Sequence, residues 1–318
     1  MSWEVHVLGA NSAVPTIHRY PSGQVLNVGI ESILIDCGEG SQLRMLEYGI
    51  KNSRINTILI SHLHGDHIYG LPGLLTSYNL FNRKNPLWIF GPEGVRSYVT
   101  HMMGCTNHDF SYPLHIQELT HSGKRMIYEK NNWQVHAFPL NHRIPTYGYK
   151  ISELITRTYL SREKIVSLGL SEIQVQKILA GESVIHQGVP YGLSDLERFP
   201  VPLSYAYISD TAYFPECAEL TGPTRLIYHE STFLESELTQ AIERYHSTAK
   251  QAALTALHAP ADHLLLGHYS SRYTDIASFR SEAESVFSPV SLARSGKRFI
   301  IPQEGDVLEE FNPLFEKN

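Results

Sequence analysis

The chain has 318 residues, with 26 Lys and Arg against 32 Asp and Glu, for a formal net charge of −6. That length can bury a full core, as one large domain or two small ones, and the acidic balance argues against a surface given over entirely to nucleic acid while leaving room for a local basic groove. No run of about 18 apolar residues is present to span a bilayer, and three scattered cysteines, Cys37, Cys105 and Cys217, form neither a disulfide framework nor a thiolate zinc site. A reducing, cytoplasmic setting is expected, and the start of the chain reads as a strand rather than a signal peptide. Seventeen histidines make a metal site worth seeking.

In chain order, the first apolar run, Glu4 to Leu8, predicts a strand, as does Gly29 to Ile35. A helical pattern covers Ser41 to Tyr48. A strand at Thr57 to Ile60 then leads into His62-Leu63-His64-Gly65-Asp66-His67. Side chains at i and i+2 of an extended segment point the same way, so His62 and His64 can grip one ion. The chain then turns through Gly65 and presents Asp66 and His67 to a second position. Four ligand-type residues within six positions point to a metal centre.

Leu71 to Leu80 reads as the next helix, and Leu87 to Phe90 and Trp133 to Phe138 as strands. His142 follows the latter. From about Ser152 to Pro200 the strand pattern lapses into a helix-rich insertion with polar turns, closed by Gly188, Pro190, Gly192 and Pro200. Such a segment either decorates the core or projects as an arm toward a macromolecule. Strands resume at Tyr205 to Ser209, Leu226 to Tyr228 and His263 to Leu266, with a helix at Thr248 to His258. Asp210 follows the first of these strands and His268 the last. Taken singly, Asp210 reads as a turn residue. Together with His142 and His268 it completes a two-metal set gathered at strand ends, where an α/β sheet opens a crevice.

Beyond these residues the sequence resembles the ribonuclease Z group of the metallo-β-lactamase superfamily. The resemblance rests on Asp36-Cys37-Gly38-Glu39-Gly40, on Ser61 through Leu74, and on Pro139-Leu140-Asn141-His142 with Gly148-Tyr149. Ser209-Asp210-Thr211, His229-Glu230-Ser231-Thr232-Phe233, His246-Ser247-Thr248-Ala249 and Gly267 through Tyr273 extend it over nearly the whole chain. The His-x-His-x-Asp-His run specifies only the superfamily, whereas the last three stretches are characteristic of the ribonuclease Z group.

The resemblance implies a four-layer αββα sandwich forming one domain over residues 1–318, with an arm inserted at about 151–200. It implies two Zn2+ per subunit, other divalent metals being possible. His62, His64 and His142 would hold one ion, Asp66, His67 and His268 the other, and Asp210 would bridge them. Asp66 would also orient the attacking water or take its proton, and His246, held by Glu230, would protonate the departing 3′ oxygen. Lys250, Arg272 and Tyr273 would lie near enough to meet a phosphate. The implied activity is endonucleolytic removal of the 3′ trailer from precursor tRNA, leaving a 3′-hydroxyl, by a homodimer whose arms reach the partner's tRNA. His101, His108, His115, His121 and His136 have no matching role and read as structural or surface residues.

Two departures stand out. The arm stretch Leu168 to Val184 keeps Leu-Gly and Gly-Glu-Ser-Val but lacks the Gly-Pro between them. Its cations, Arg157, Arg162, Lys164, Lys177 and Arg198, are exceeded by Glu153, Glu163, Glu172, Glu182, Asp195 and Glu197, so it gains little from counterion release. The loop Ser12 to Tyr20 also matches the group imperfectly. Two rival readings therefore stay open: a related dinuclear phosphodiesterase acting on small or cyclic phosphodiesters, and a nucleic-acid-binding protein with a degenerate site.

Overall fold

The structure, a computed structural model, describes residues 2–106, 109–155, 159–198 and 201–311. His108, Arg157 and Pro200, named above, lie outside them. Contacts divide the chain into two compact units, Met1–Ser152 with Leu203–Asn318, and Glu153–Pro202.

In the larger unit β1 (Ser2–Gly9), β2 (Gly23–Val28), β3 (Glu31–Cys37), β4 (Ile55–Leu59), β5 (Leu87–Pro92) and β6 (Leu114–Leu119) come first. β7 (Arg125–Lys130), β8 (Trp133–Pro139) and β9 (Tyr147–Glu153) begin a second sheet. In the smaller unit β10 (Tyr159–Leu160) pairs with β13 (Glu197–Arg198), and β11 (Val184–His186) with β12 (Val189–Tyr191). β14 (Ser204–Ile208), β15 (Leu226–Glu230), β16 (Leu264–Gly267) and β17 (Val290–Leu292) complete the second sheet, while β18 (Lys297–Pro302) and β19 (Leu308–Phe311) return to the first. The sheet orders are β19-β18-β1-β2-β3-β4-β5-β6 and β17-β16-β15-β14-β9-β8-β7.

Each sheet has a parallel half, β3 to β6 in one and β14 to β17 in the other. Parallel strands need covering on both faces, which explains their continuous apolar runs. Three buried clusters show the layers. One lies between the sheets, with Trp3, Val7, Leu26 and Phe299 against Trp133, Tyr149, Tyr205 and Leu265. The second sets the first sheet against the helices Ser41–Glu47, Leu71–Leu80 and Val95–Gly104. The third sets the second sheet against Glu216–Thr221, the alanine-rich Ala249–His258 and Ala277–Glu284. This is the expected αββα sandwich. One strand boundary shifts: Gly29, at φ +63°, makes the β2–β3 turn, so β3 starts at Glu31 rather than at Gly29.

The smaller unit has its own core of Leu170, Ile178 and Leu196. Its helices Arg162–Leu168 and Glu172–Leu179 start at Ser161 and Ser171, whose hydroxyls accept from Lys164 N and Gln174 N. Gln174 returns the bond to Ser171 N, closing a capping box.

Candidate metal centre

Every strand that ends at the centre delivers one residue to it. β3 ends in Asp36 and Cys37, β4 is followed by Ser61 and His62, β8 by His142, β14 by Asp210 and β16 by His268. His64 caps the short helix Gly65–Ile68, which carries Asp66 and His67. His62 and His67 are fully buried, and Asp210 and His268 nearly so.

The side chains converge in two groups. In one, His62, His64, His142 and Asp210 place their ligand-type atoms within 4.8 Å of one another. In the other, Asp66, His67 and His268 do the same. Asp210 faces both: its Oδ2 lies 3.6 Å from His62 Nε2 and 3.9 Å from His142 Nε2, while its Oδ1 lies 3.1 Å from His268 Nε2 and 3.5 Å from His67 Nε2.

These residues fit a divalent metal, and several observations agree. Metal–nitrogen bonds of about 2.0–2.1 Å put tetrahedral ligand atoms roughly 3.3 Å apart. His67 Nε2 and His268 Nε2 are separated by 3.3 Å, and His64 Nδ1 and His142 Nε2 by 3.4 Å. His62 Nε2 and Asp210 Oδ1 are buried without a hydrogen-bond partner, which a protein tolerates only where something else satisfies them. The outer nitrogens of four of the five histidines are engaged. His67 Nδ1 donates to Asp36 Oδ2 at 2.7 Å, His142 Nδ1 to Tyr245 O at 2.9 Å, His268 Nδ1 to Thr232 Oγ1 at 2.9 Å and His62 Nδ1 to Ser61 Oγ at 3.0 Å. Carboxylate and carbonyl oxygens only accept, so in the neutral ring the inward nitrogens of His67 and His142 carry lone pairs.

Electrostatics point the same way. Burial holds His62, His64 and His142 below their ordinary pKa, in the neutral form that binds metal. Burial also opposes charge on His67, but Asp66, Asp210 and Asp36 around it prevail and raise it: the pocket demands a cation. Asp66 and Asp210 stay ionised, because the surrounding histidines outweigh their burial.

A second constellation adjoins the first. Glu230, fully buried at the end of β15, accepts from His246 Nδ1 (2.9 Å), Ser247 N (2.9 Å) and Thr211 N (3.1 Å) through Oε1. Its Oε2 accepts from Thr232 N and from the Thr232 hydroxyl, at 2.8 and 2.7 Å. Against the depressing effect of burial, Glu230 raises the pKa of His246. The ring of His246 lies 5.3 Å from that of His142 and 5.5 Å from that of His268. His246 and Thr232 from this constellation, with His64, Asp66, His142 and Asp210, line a cavity of about 1030 Å³.

Of the three residues suggested as phosphate contacts, only Arg272 lines this cavity, held by Gln240 Oε1 at 2.7 Å and Glu237 Oε2 at 3.3 Å. Lys250 turns to Glu235 at 3.6 Å, and the Tyr273 hydroxyl accepts from Leu234 N at 3.2 Å. Several participants carry no assignment from the sequence. Asp36 receives Ser61 N, Ser61 Oγ, His67 Nδ1 and Tyr207 OH. Thr232 links Glu230 to His268, and the amide of Ala13 donates to Asp66 Oδ2 at 2.8 Å. Asp36 stood within the Asp-Cys-Gly-Glu-Gly run, and that was its only signal. His101, His115, His121 and His136 lie away from both groups.

Fold and site together define a metal-dependent hydrolase of the metallo-β-lactamase fold. A family model described as anti-Pycsar protein Apyc1 matches residues 3–161. Ribonuclease Z of Bacteroides fragilis strain YCH46 is 37% identical over 294 residues, covering 92% of this chain and 97% of its own. Ribonuclease Z of Porphyromonas gingivalis ATCC 33277 is 35% identical over 306 residues, covering 93% and 98%. The crystal structure of human tRNase Z, short form, superposes with a TM-score of 0.70 at 25% identity, over 94% of this chain and 99% of that one. The chain belongs to the ribonuclease Z family. No helix among the described residues is long and apolar enough to cross a membrane.

Proposed function

We propose that this protein is a zinc-dependent endoribonuclease that removes the 3′ trailer of precursor tRNA, using two ions per subunit. His62, His64 and His142 hold one, Asp66, His67 and His268 the other, and Asp210 reaches both. The observation that carries this reading is the juxtaposition of these seven residues with the Glu230–His246 pair, beside a cavity lined by His64, Asp66, His142, Asp210 and His246. When bound, the ions supply positive charge at the phosphorus and lower the pKa of water there.

The chain's own residues supply the rest. Asp66, pinned by the Ala13 amide, is placed to orient the attacking water. His246 borders the cavity with its Nδ1 held by Glu230, which leaves Nε2 to deliver a proton to the departing 3′ oxygen. Water thus joins phosphorus as the bond to O3′ breaks, leaving a 3′-hydroxyl on the tRNA. A homodimer that shares tRNA between its arms completes the proposal, in a cytoplasmic setting.

One observation favours a second reading. Among described residues the arm carries Arg162, Lys164, Lys177 and Arg198 against six acids, a poor grip for phosphates, so a related enzyme for small phosphodiesters is the alternative. Zinc-loaded protein given precursor tRNA and a small chromogenic phosphodiester separates the two. Trailer removal supports the first reading, and ester turnover without tRNA binding or cleavage supports the second. Full zinc content and activity in His64→Ala would overturn the metal assignment itself.

A further inference from the structure

The residues lining the cavity include two unlike groups, each forming a wall of its own chain neighbours. One carries His64, Asp66 and Tyr69, with Glu39 beside them, since the backbone at Gly38 and Gly70 is in close contact. The other carries His142 and Arg143, and Arg244 and His246. Tyr69 is 65% exposed and lines the cavity. Its pose is nonetheless fixed. The ring lies so close over Gly65 that a Cβ there would meet its carbons at 2.2–2.8 Å, and Tyr69 N donates to Gly65 O at 3.0 Å. Glycine at position 65 lets an aromatic plane rest on the backbone while much of its surface stays open to the cavity. In the other group, Arg143 is steadied by its bond to Glu243 O at 2.9 Å, and both arginines are exposed.

Resting on the ribonuclease reading above, we propose that these walls set the polarity of the RNA strand across the site. The oxygen that departs belongs to the nucleotide on the 5′ side of the cut, and the residue that protonates it is His246. Arg244, two residues from His246, and Arg143, next to His142, therefore lie beside that nucleotide and take its 5′ phosphate. The first trailer nucleotide is directed to the other wall, where Glu39 repels phosphate and Tyr69 offers a face for its base. Stacking on an aromatic ring is tolerant of sequence, as variable trailers require.

The test uses the zinc-loaded full chain, precursor tRNA, and bis(p-nitrophenyl) phosphate as a small ester. Tyr69→Ala should lower kcat/KM for precursor tRNA about ten- to a hundredfold more than for the ester, the range expected for one lost stacking contact. Tyr69→Phe, which keeps the ring, should recover most of that loss. An abasic nucleotide at the first trailer position should bring wild type and Tyr69→Ala together, and one on the 5′ side of the cut should not. Arg143→Gln combined with Arg244→Gln should reduce the salt dependence of log KM by about 0.7 to 0.9, the share of the one phosphate they hold. A methylphosphonate at the 5′ phosphate of the nucleotide before the cut should remove that difference. Equal losses on tRNA and ester, or convergence when the 5′-side base is removed instead, overturn the polarity assignment alone. Ester turnover with no binding of precursor tRNA takes the ribonuclease reading down with it.

Discussion

Replacing Asp36 by asparagine changes one charge and almost no volume. It also leaves the backbone content: Asp36 sits at φ +55°, a left-handed conformation that asparagine adopts as readily as any residue with a side chain. The carboxylate accepts Ser61 N at 2.7 Å on Oδ1, and Ser61 Oγ, His67 Nδ1 and Tyr207 OH at 2.8, 2.7 and 2.8 Å on Oδ2. An amide has one oxygen. Turned toward the three donors, it sets its NH2 against the Ser61 amide; turned the other way, it sets its NH2 against all three. The first choice strands one buried N–H and converts three charge-assisted bonds into ordinary ones, a loss on the order of 3 kcal/mol. In a fold of this size that is roughly 4–5 °C in Tm. Because Asp36 also fixes the ring of His67, metal affinity should fall about 10- to 100-fold. Chelator-competition titration with Zn2+ and melting of the metal-free protein measure the two effects. Asp36→Asn that binds zinc within threefold of wild type, with an unchanged metal-free Tm, would refute the role given to this carboxylate.

Two glycines should respond oppositely. At Gly267 a Cβ would meet the buried Tyr228 ring and hydroxyl at 2.3–2.6 Å, and Tyr228 cannot retreat because it stacks on Tyr207 at 4.8 Å; Gly267→Ala should cost about 2–3 kcal/mol in urea unfolding. At Gly73, in the helix Leu71–Leu80, a Cβ meets nothing within 4 Å, and Gly73→Ala should stabilise by roughly 0.5–1 kcal/mol. Acid should weaken the fold through His263, which burial depresses from 6.5 to about 4 and whose Nε2 pairs with Ser291 Oγ at 3.0 Å. The unfolded chain binds the extra proton between those values, so this contribution is complete above about pH 6.5 and is lost on acidification toward pH 4, roughly 3 kcal/mol in all. His263→Gln should show a shallower decline in denaturant-derived stability over that window; an equal slope would contradict it. Stripping metal with a chelator should abolish hydrolysis of a small phosphodiester, and added Zn2+ should restore it; activity that survives exhaustive chelation would count against a metal centre.

The candidate ligands that the structure brings together were legible because each grouped with its own signal. His62 to His67 declare themselves by spacing, and His142, Asp210 and His268 by following the apolar strands β8, β14 and β16. The residues that support them were not. Asp36 meets His67 across 31 positions and Tyr207 across 171, and Thr232 meets His268 across 36, so no local pattern marks them. Tyr69, Arg143 and Arg244 act through exposure, which spacing does not encode. Among strands, β7 and β6 escaped because their side chains are mostly half-exposed or exposed, without the apolar runs of β4 or β16. The tight β2 and β9 lie between turn residues and were passed over for the same want of a long run. The short helices Glu216–Thr221 and Ala277–Glu284 are too brief for periodicity to show.

The bridge between Asn11 and Tyr269 bears on how such a protein matures. Ser12 N donates to Tyr269 O at 3.0 Å and Tyr269 N to Ala10 O at 3.1 Å, joining the end of β1 to the loop after β16. The ligands divide along that seam: His62, His64, Asp66 and His67 come from the first sheet's side, and His142, Asp210 and His268 from the second's. Neither half of the chain supplies the whole of the proposed two-ion ligand set. An ion that prefers the finished centre would therefore act as a clasp on the two sheets, adding about 2.7 kcal/mol to their union when present at a hundred times its dissociation constant. Supply of the metal would then bear on assembly, since a chain whose halves have not yet met offers only the partial ligand set of His62 to His67.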